Sequence, residues 1–301
     1  MDGIFDLSCC KLCPRECGAD RKNGKSGFCG TNDKITIART SLHHWEEPCL
    51  SGDKGSGTVF FSGCNMGCVY CQNNEISHKN KGIEVTKERL CEIFFELKDK
   101  GAHNINLVTA GHFLPLVLDA VKSAKDAHLG VPFVYNSSGY EKKDAIKAAD
   151  GLIDIYLPDF KYIDSTRAAL YSNASDYPGV ATKAIDEMVR QKPECKFNDD
   201  GILESGVIVR HLLLPEGLSD SKKVLKYLYE KYGDSIYISI MSQYTPFGDL
   251  SDFPELKRKV TKKEYEKLID YAIKIGIKNA FIQEGESANE SFIPDFSGQG
   301  V

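Results

Sequence analysis

No stretch of about 18 apolar residues occurs in the 301-residue sequence, so nothing in it reads as a membrane-spanning helix. The opening MDGIFDLSCC has no positive segment followed by an apolar stretch and a small-residue cleavage site, so a secretory signal is not expected. Positive charge is not in excess: 38 Lys and Arg stand against 43 Asp and Glu, a formal net charge of -5. A chain whose main task is to grip phosphate backbones shows the opposite balance, so no nucleic-acid partner is expected. Low-complexity tracts and short repeats are missing too. What remains is the composition of an ordinary globular protein, 42% hydrophobic and 27% charged, expected in the reducing cytoplasm.

Cysteine is plentiful, with eleven in the chain. In a reducing compartment clustered thiols point to metal binding or catalysis rather than to a disulfide framework. Five lie between Cys9 and Cys29 and three between Cys64 and Cys71, while Cys49, Cys91 and Cys195 stand alone. Residues 1–55 are rich in cysteine and glycine and contain one expected strand, Ile35 to Arg39. So few apolar residues cannot build a core unaided, which predicts a small metal-binding appendage. The Gly- and Ser-rich linker from Ser51 to Gly57 marks its boundary with a second unit, residues 56–301.

Beyond the linker, strands and helices alternate. Thr58 to Ser62 is a short apolar run of the kind buried in parallel sheets. Thr86 can cap a helix whose apolar face is Leu90, Ile93, Phe94 and Leu97, and Gly101 can end it. Further strands are expected near Asn104 to Thr109, Pro132 to Tyr135, Leu152 to Leu157, Gly206 to Leu214, Ile236 to Ile240 and Asn279 to Gln283, with helices between them. This α/β alternation implies right-handed crossovers and a parallel sheet, either doubly wound or curled into a full or partial barrel. In both, functional groups gather at the C-terminal ends of the strands.

The loop after the first of these strands carries Cys64, Cys68 and Cys71, spaced C-x3-C-x2-C, with Gly63 and Gly67 allowing it to curl. Three thiolates are one short of the four that close an iron-sulfur cluster, and an open position lets a metal site do chemistry. The alternative is a zinc site that borrows a fourth ligand such as His78. With Tyr70 before the last cysteine, this segment resembles the signature of the radical S-adenosylmethionine (SAM) superfamily. Cys10 to Arg15, His44 to Pro48, Gly55 to Thr58, Cys71 to Asn73, Met241 to Tyr244 and Ile293 to Phe296 resemble the group related to pyruvate formate-lyase activating enzyme.

The resemblance implies a partial (β/α)6 TIM-like barrel, open on one side, with the cysteine-rich segment appended. It implies an oxidoreductase holding a 4Fe-4S cluster on Cys64, Cys68 and Cys71 and binding SAM at the free iron. Reductive cleavage would yield a 5'-deoxyadenosyl radical that abstracts hydrogen from a protein or peptide, as in activation of a glycyl-radical enzyme. A small metabolite is the alternative substrate, and a non-enzymatic iron-sulfur or zinc protein is the alternative from another class. Flavodoxin or ferredoxin would be the reductant.

The SAM-binding candidates, beside Tyr70 and Asn73, lie at the other strand ends. Thr109, Gly111 and His112 stand where the superfamily has a Gly-Gly-Glu-like turn, with one glycine left and histidine in place of the acid. Asn136 and Ser138 follow the next strand, and Asp159 and Lys161 resemble the Asp-x-Lys element of glycyl-radical activating enzymes. Arg210, inside an apolar strand beside His211, is a candidate for a carboxylate, because a charge there needs a partner or a polar cavity. Gln243, Tyr244, Gln283, Glu284 and Glu286 are weaker rim candidates. Cys10, Cys13, Cys17 and Cys29 can close a second 4Fe-4S cluster or a zinc site, with Cys9 as a substitute ligand. His43 to Cys49 (HHWEEPC) reads as a buried aromatic among polar neighbours, with a second metal site as the alternative.

Overall fold

The computed structural model describes residues 5–282 and 296–301. Gln283, Glu284, Glu286 and residues 293–295 lie outside the described residues. In chain order come β1 (Ile35–His43), α1 (Pro48–Ser51), β2 (Ser56–Phe61), α2 (Asn74–Ser77), β3 (Ile83–Val85), α3 (Lys87–Asp99), β4 (Ile105–Val108), α4 (Leu114–Asp126) and β5 (Phe133–Ser137). Next are α5 (Lys143–Ala148), β6 (Ile155–Pro158), α6 (Ser165–Ser172), α7 (Tyr177–Gln191), β7 (Lys196–Phe197) and β8 (Leu203–Leu212). The series ends with α8 (Leu218–Tyr232), β9 (Tyr237–Met241), α9 (Lys262–Ile275) and β10 (Ala280–Ile282).

Parallel neighbours run β2, β4, β5, β6, β8, β9, β10. Each new strand is added on the same side as the last, and the order never reverses. That rules out the doubly wound arrangement, which needs a switch point. Among the described residues the run begins and ends without closing, so the barrel they form is partial.

Local signals explain the elements. Thr86 caps α3 by accepting from the Arg89 N–H, and Gly101, at φ +94°, follows its end. Leu90, Ile93, Phe94 and Leu97 are fully buried by α3, each contributing about 1.5–3 kcal/mol by leaving water. Thr261 and Glu264 form the capping box that starts α9.

The cysteine-rich segment is less separate than its composition suggests. β1 extends to His43, pairs antiparallel with β2 and β3, and sends Ile35, Ile37 and Ala38 into the core. Its few apolar residues suffice because they complete the barrel's core and cover the open edge of β2.

Inside the barrel, side-chain alternation separates an apolar floor from a polar mouth. Val134, Leu157 and Ile208 pack with Cys49 and Leu50 in one buried cluster. Two residues further along the same strand faces stand Asn136, Asp159 and Arg210, which line a cavity. The C-terminal ends of the strands are thus where polar groups converge.

Candidate active site

The loop from Ser62 to Asn73 leaves the end of β2. Gly63 has φ +89°, and a Cβ there would stand 2.6 Å from the Cys29 carbonyl oxygen, so only glycine lets the loop pass. Cys64, Cys68 and Cys71 all line one cavity of about 280 Å³. Each sulfur is met by a donor: the Met66 N–H at 3.4 Å for Cys64, the Ser172 hydroxyl at 3.0 Å for Cys68 and the Ser77 hydroxyl at 3.2 Å for Cys71. Burial pushes the Cys64 thiol up to about 12, and Cys68 and Cys71 add to the rise. His78 is exposed and bonds the Ser77 hydroxyl through Nδ1 at 2.8 Å, so it is not a fourth ligand on this wall.

The same cavity is lined by Asn73, Thr109, Asn136, Ser138, Asp159, Lys161 and Arg210, so seven of the ten cofactor candidates meet the three cysteines. Asp159 is the centre of a charge network. Its Oδ1 accepts from Arg210 Nε at 3.0 Å and its Oδ2 from Lys161 Nζ at 2.6 Å. Burial works to raise the Asp159 pKa, but Lys161 and Arg210 outweigh it and hold the carboxyl below its ordinary value. Burial likewise works to lower the Lys161 pKa, and the charges of Asp159 and Cys68 more than offset it. Arg210 Nη2 also donates to Asn136 Oδ1 at 2.6 Å. Thr109, a β-branched residue, is held at φ +61°, the kind of strained backbone that collects at functional sites.

Tyr70, Gly111 and His112 do not line the cavity. The Tyr70 hydroxyl turns inward to Tyr162 at 2.5 Å. His112 lies beneath the cysteine loop, its Nε2–H donating to the Ser62 carbonyl at 2.7 Å. Burial pulls its pKa down to about 4, so it is a neutral packing residue and not a proton donor at the mouth. His211 has the same character, with Nδ1 bonded to the Phe160 carbonyl at 2.7 Å and a pKa lowered by burial to about 4. Gln243 lines the cavity, whereas Tyr244 is buried and donates to the Leu256 carbonyl.

Trp45 corrects the reading of HHWEEPC. It is 65% exposed, not buried, and it joins His43 and Glu46 on the cavity wall. Glu46 pairs with Arg210 at 3.4 Å and accepts from the Asn106 amide at 3.2 Å. Burial raises its pKa in spite of Arg210. The two adjacent carboxylates after Trp45 are the visible signal, but Arg210 lies 164 residues away.

The N-terminal thiols also converge. Burial pushes Cys13 up to about 11, with Cys29, Cys10 and Cys17 adding to it. A Cβ on Gly27 would sit 3.1 Å from Cys17 Sγ and 3.6 Å from Cys29 Sγ. Cys9 is exposed. Arg21 is only 1% exposed; it reaches Cys10 Sγ at 3.7 Å and Thr31 Oγ1 at 3.2 Å, with no ion pair among the described residues. Arg15 ties this segment to the cysteine loop, donating to the Asn65 and Met66 carbonyls at 2.8 Å each. Among the described residues, no three His, Cys, Asp or Glu side chains are gathered tightly enough for a single metal ion. A multi-iron cluster asks for less convergence, because bridging sulfides hold its irons apart.

Residues 58–241 match the family model of the radical SAM superfamily. The chain belongs to that superfamily. As a radical SAM protein it is an enzyme that uses SAM and a 4Fe-4S cluster, and its mostly parallel partial barrel is consistent with the superfamily core. It is 27% identical over 275 residues to the uncharacterized protein MJ0674 of Methanocaldococcus jannaschii, covering 89% of this chain and 75% of that one. Among solved structures it is similar to Streptococcus suis SuiB (TM-score 0.49, 12% identity, 74% of this chain and 47% of that one). A domain of pyruvate-formate lyase-activating enzyme from Bacteroides vulgatus is also similar (TM-score 0.41, 15% identity, 57% of this chain and 91% of that one). The chain thus spans about half the length of SuiB. Among the described residues no helix is long and apolar enough to cross a membrane.

Beneath the Thr109–His112 turn of this radical SAM enzyme lies a buried acid, Glu141, which accepts from the Ser137 hydroxyl at 3.1 Å. A Cβ on Gly111 would stand 2.9 Å from the Tyr135 hydroxyl and 3.4 Å from Glu141 Oε1, which explains the one retained glycine. Burial pushes the Glu141 carboxyl up to about 8, against the Ser137 bond, from an ordinary value of 4.5. Between those values the folded chain holds a proton that the unfolded chain has released. Stability contributed by this group is therefore present below the lower value and is lost as pH rises toward the upper one. Urea unfolding should show wild type losing up to about 1.4 kcal/mol per pH unit more than Glu141→Gln within this window. Equal pH slopes for the two proteins would refute the assignment.

Proposed function

We propose that Cys64, Cys68 and Cys71 ligate the 4Fe-4S cluster, that SAM binds in the cavity they line, and that the substrate is a protein or peptide. The observation that carries this reading is the convergence of three thiols and the Asp159, Lys161, Arg210 and Asn136 network on a single cavity. The donor set fits: three sulfurs are available, and His78 does not line the cavity. When bound, the reduced cluster supplies the electron that splits SAM to a 5'-deoxyadenosyl radical able to abstract hydrogen.

The chain's own residues do the rest. Burial raises the pKa of the free Cys64 and Cys71 thiols, so metal binding must displace their protons. Arg210 and Lys161, held by Asp159, present fixed cationic groups for a carboxylate such as that of SAM, while the Asn73 and Asn136 amides and Ser138 hydroxyl orient polar groups. Exposed Trp45 at the wall offers a broad apolar surface to an incoming peptide, which favours a macromolecular substrate over a small metabolite. Hydrogen abstraction of the glycyl-radical-activase kind is the reaction we favour. Flavodoxin or ferredoxin would supply electrons in the cytoplasm, where the eleven free cysteines stay reduced.

For Cys10, Cys13, Cys17 and Cys29 we propose a second 4Fe-4S cluster over the zinc alternative, because among the described residues no three ligands gather tightly enough for a single ion. Arg21 supports an anionic centre there, since a buried cation without a carboxylate needs a counter-charge and metal-bound thiolates supply one.

Anaerobic reconstitution followed by dithionite and SAM should release methionine and 5'-deoxyadenosine, and iron and zinc per chain should separate one cluster from two. A reconstituted protein that reduces normally but leaves SAM intact would overturn the assignment of the cavity.

A further inference from the structure

We propose that Tyr70, Tyr162 and Ser172 form a one-way chain of hydroxyl donors ending on the Cys68 sulfur, and that this chain raises the reduction potential of the centre Cys68 ligates. The inference rests on the reading of Cys64, Cys68 and Cys71 as cluster ligands.

Ser172 Oγ lies 3.0 Å from Cys68 Sγ and 3.0 Å from the Tyr162 hydroxyl, which lies 2.5 Å from the Tyr70 hydroxyl. Each of these hydroxyls has one proton to give. A metal-bound cysteine has none, so the sulfur can only accept and the Ser172 proton must point to it. Ser172, its proton committed, can only accept from Tyr162. Tyr162 in turn can only accept from Tyr70. Metal at Cys68 thereby fixes the direction of all three bonds.

The setting makes the chain count. Ser172 is fully buried, Tyr162 is 1% exposed and Tyr70 6% exposed, so water does not compete. A phenol keeps its proton at neutral pH, so both tyrosines are available as donors. Successive hydrogen bonds polarise one another in such surroundings. Hydrogen bonds to cluster sulfurs withdraw electron density and favour the reduced state.

Three separate segments bring the hydroxyls together. Tyr70 belongs to the cysteine loop, Tyr162 follows β6, and Ser172 ends α6, where Asn173 turns the chain at φ +49°. Arg15 bonds the Ser172 carbonyl at 3.3 Å and helps hold that helix end against the loop.

The test uses the full chain, anaerobically reconstituted, in an EPR-monitored redox titration. The signal followed is the one whose shape changes on adding SAM, which separates it from any N-terminal cluster. Ser172→Ala should titrate at a lower potential than wild type. Tyr162→Phe should shift in the same direction by less, because it leaves the last donor in place. A merely structural role would move the melting temperature and leave the potentials alike. If Ser172→Ala takes up no iron, Tyr162→Phe still decides, since it keeps every direct contact of Cys68. Wild-type potentials in the variants overturn the proposal alone. Absence of any SAM-sensitive signal in wild type overturns it together with the ligand assignment on which it rests.

Discussion

Cys68→Ala is expected to reduce 5'-deoxyadenosine release to the level of a protein-free control and to lower iron by about four atoms per chain. Cys68 is buried, and negative charge on it would raise the pKa of both Cys64 and Cys71. Two remaining thiolates do not hold a cubane, and the Ser172 hydroxyl that donates to this sulfur cannot replace it. Alanine is smaller and apolar, so the fold should survive, and circular dichroism would verify that. Cys91→Ala, on the flank of α3 and away from the cavity, should retain both iron and turnover. If Cys68→Ala still cleaves SAM, the three cysteines are not the ligands of the reactive cluster.

Arg210→Ala should cost about 3–5 kcal/mol of folding free energy, the scale seen when one member of a buried charge network is removed. Arg210 is 16% exposed at its side chain and serves two carboxylates, Asp159 at 3.0 Å and Glu46 at 3.4 Å. Its loss leaves Lys161 to balance Asp159 and leaves Glu46 with only the Asn106 amide. Urea unfolding at neutral pH would read the loss. Adding Glu46→Gln removes one orphaned carboxylate, so the double variant should recover part of the stability, a coupling expected between residues in contact. A single variant within about 0.5 kcal/mol of wild type would mean that water already screens the network, contrary to its burial.

Much of the fold and of the site is legible in the sequence. The 3.6-residue spacing of Leu90, Ile93, Phe94 and Leu97 locates α3, and Lys262 to Ile275 is the extent of α9. C-x3-C-x2-C after the first core strand marks the loop we propose for the cluster, because a short, glycine-bent segment can bring three sulfurs to one cavity. The Asp159–Lys161 pair is visible because two residues apart on an extended segment share a face.

Other features are out of reach of local pattern. Trp45 and Glu46 look like a packing motif, since nothing nearby in sequence reveals that β1 folds against the barrel. His112 looks like a site residue because it replaces an acid, but its ring turns under the loop to the Ser62 carbonyl. The Ser172 donor lies 104 residues from Cys68 and carries no motif.

The sequence by itself determined the chemistry carried by local spacing: the thiol trio, the alternating elements and the apolar faces, all set by covalent distance and backbone period. Only the tertiary structure decided which distant groups share one cavity and which distant hydroxyls meet at one sulfur. Those are properties of strand order and burial, and chain distance does not encode them.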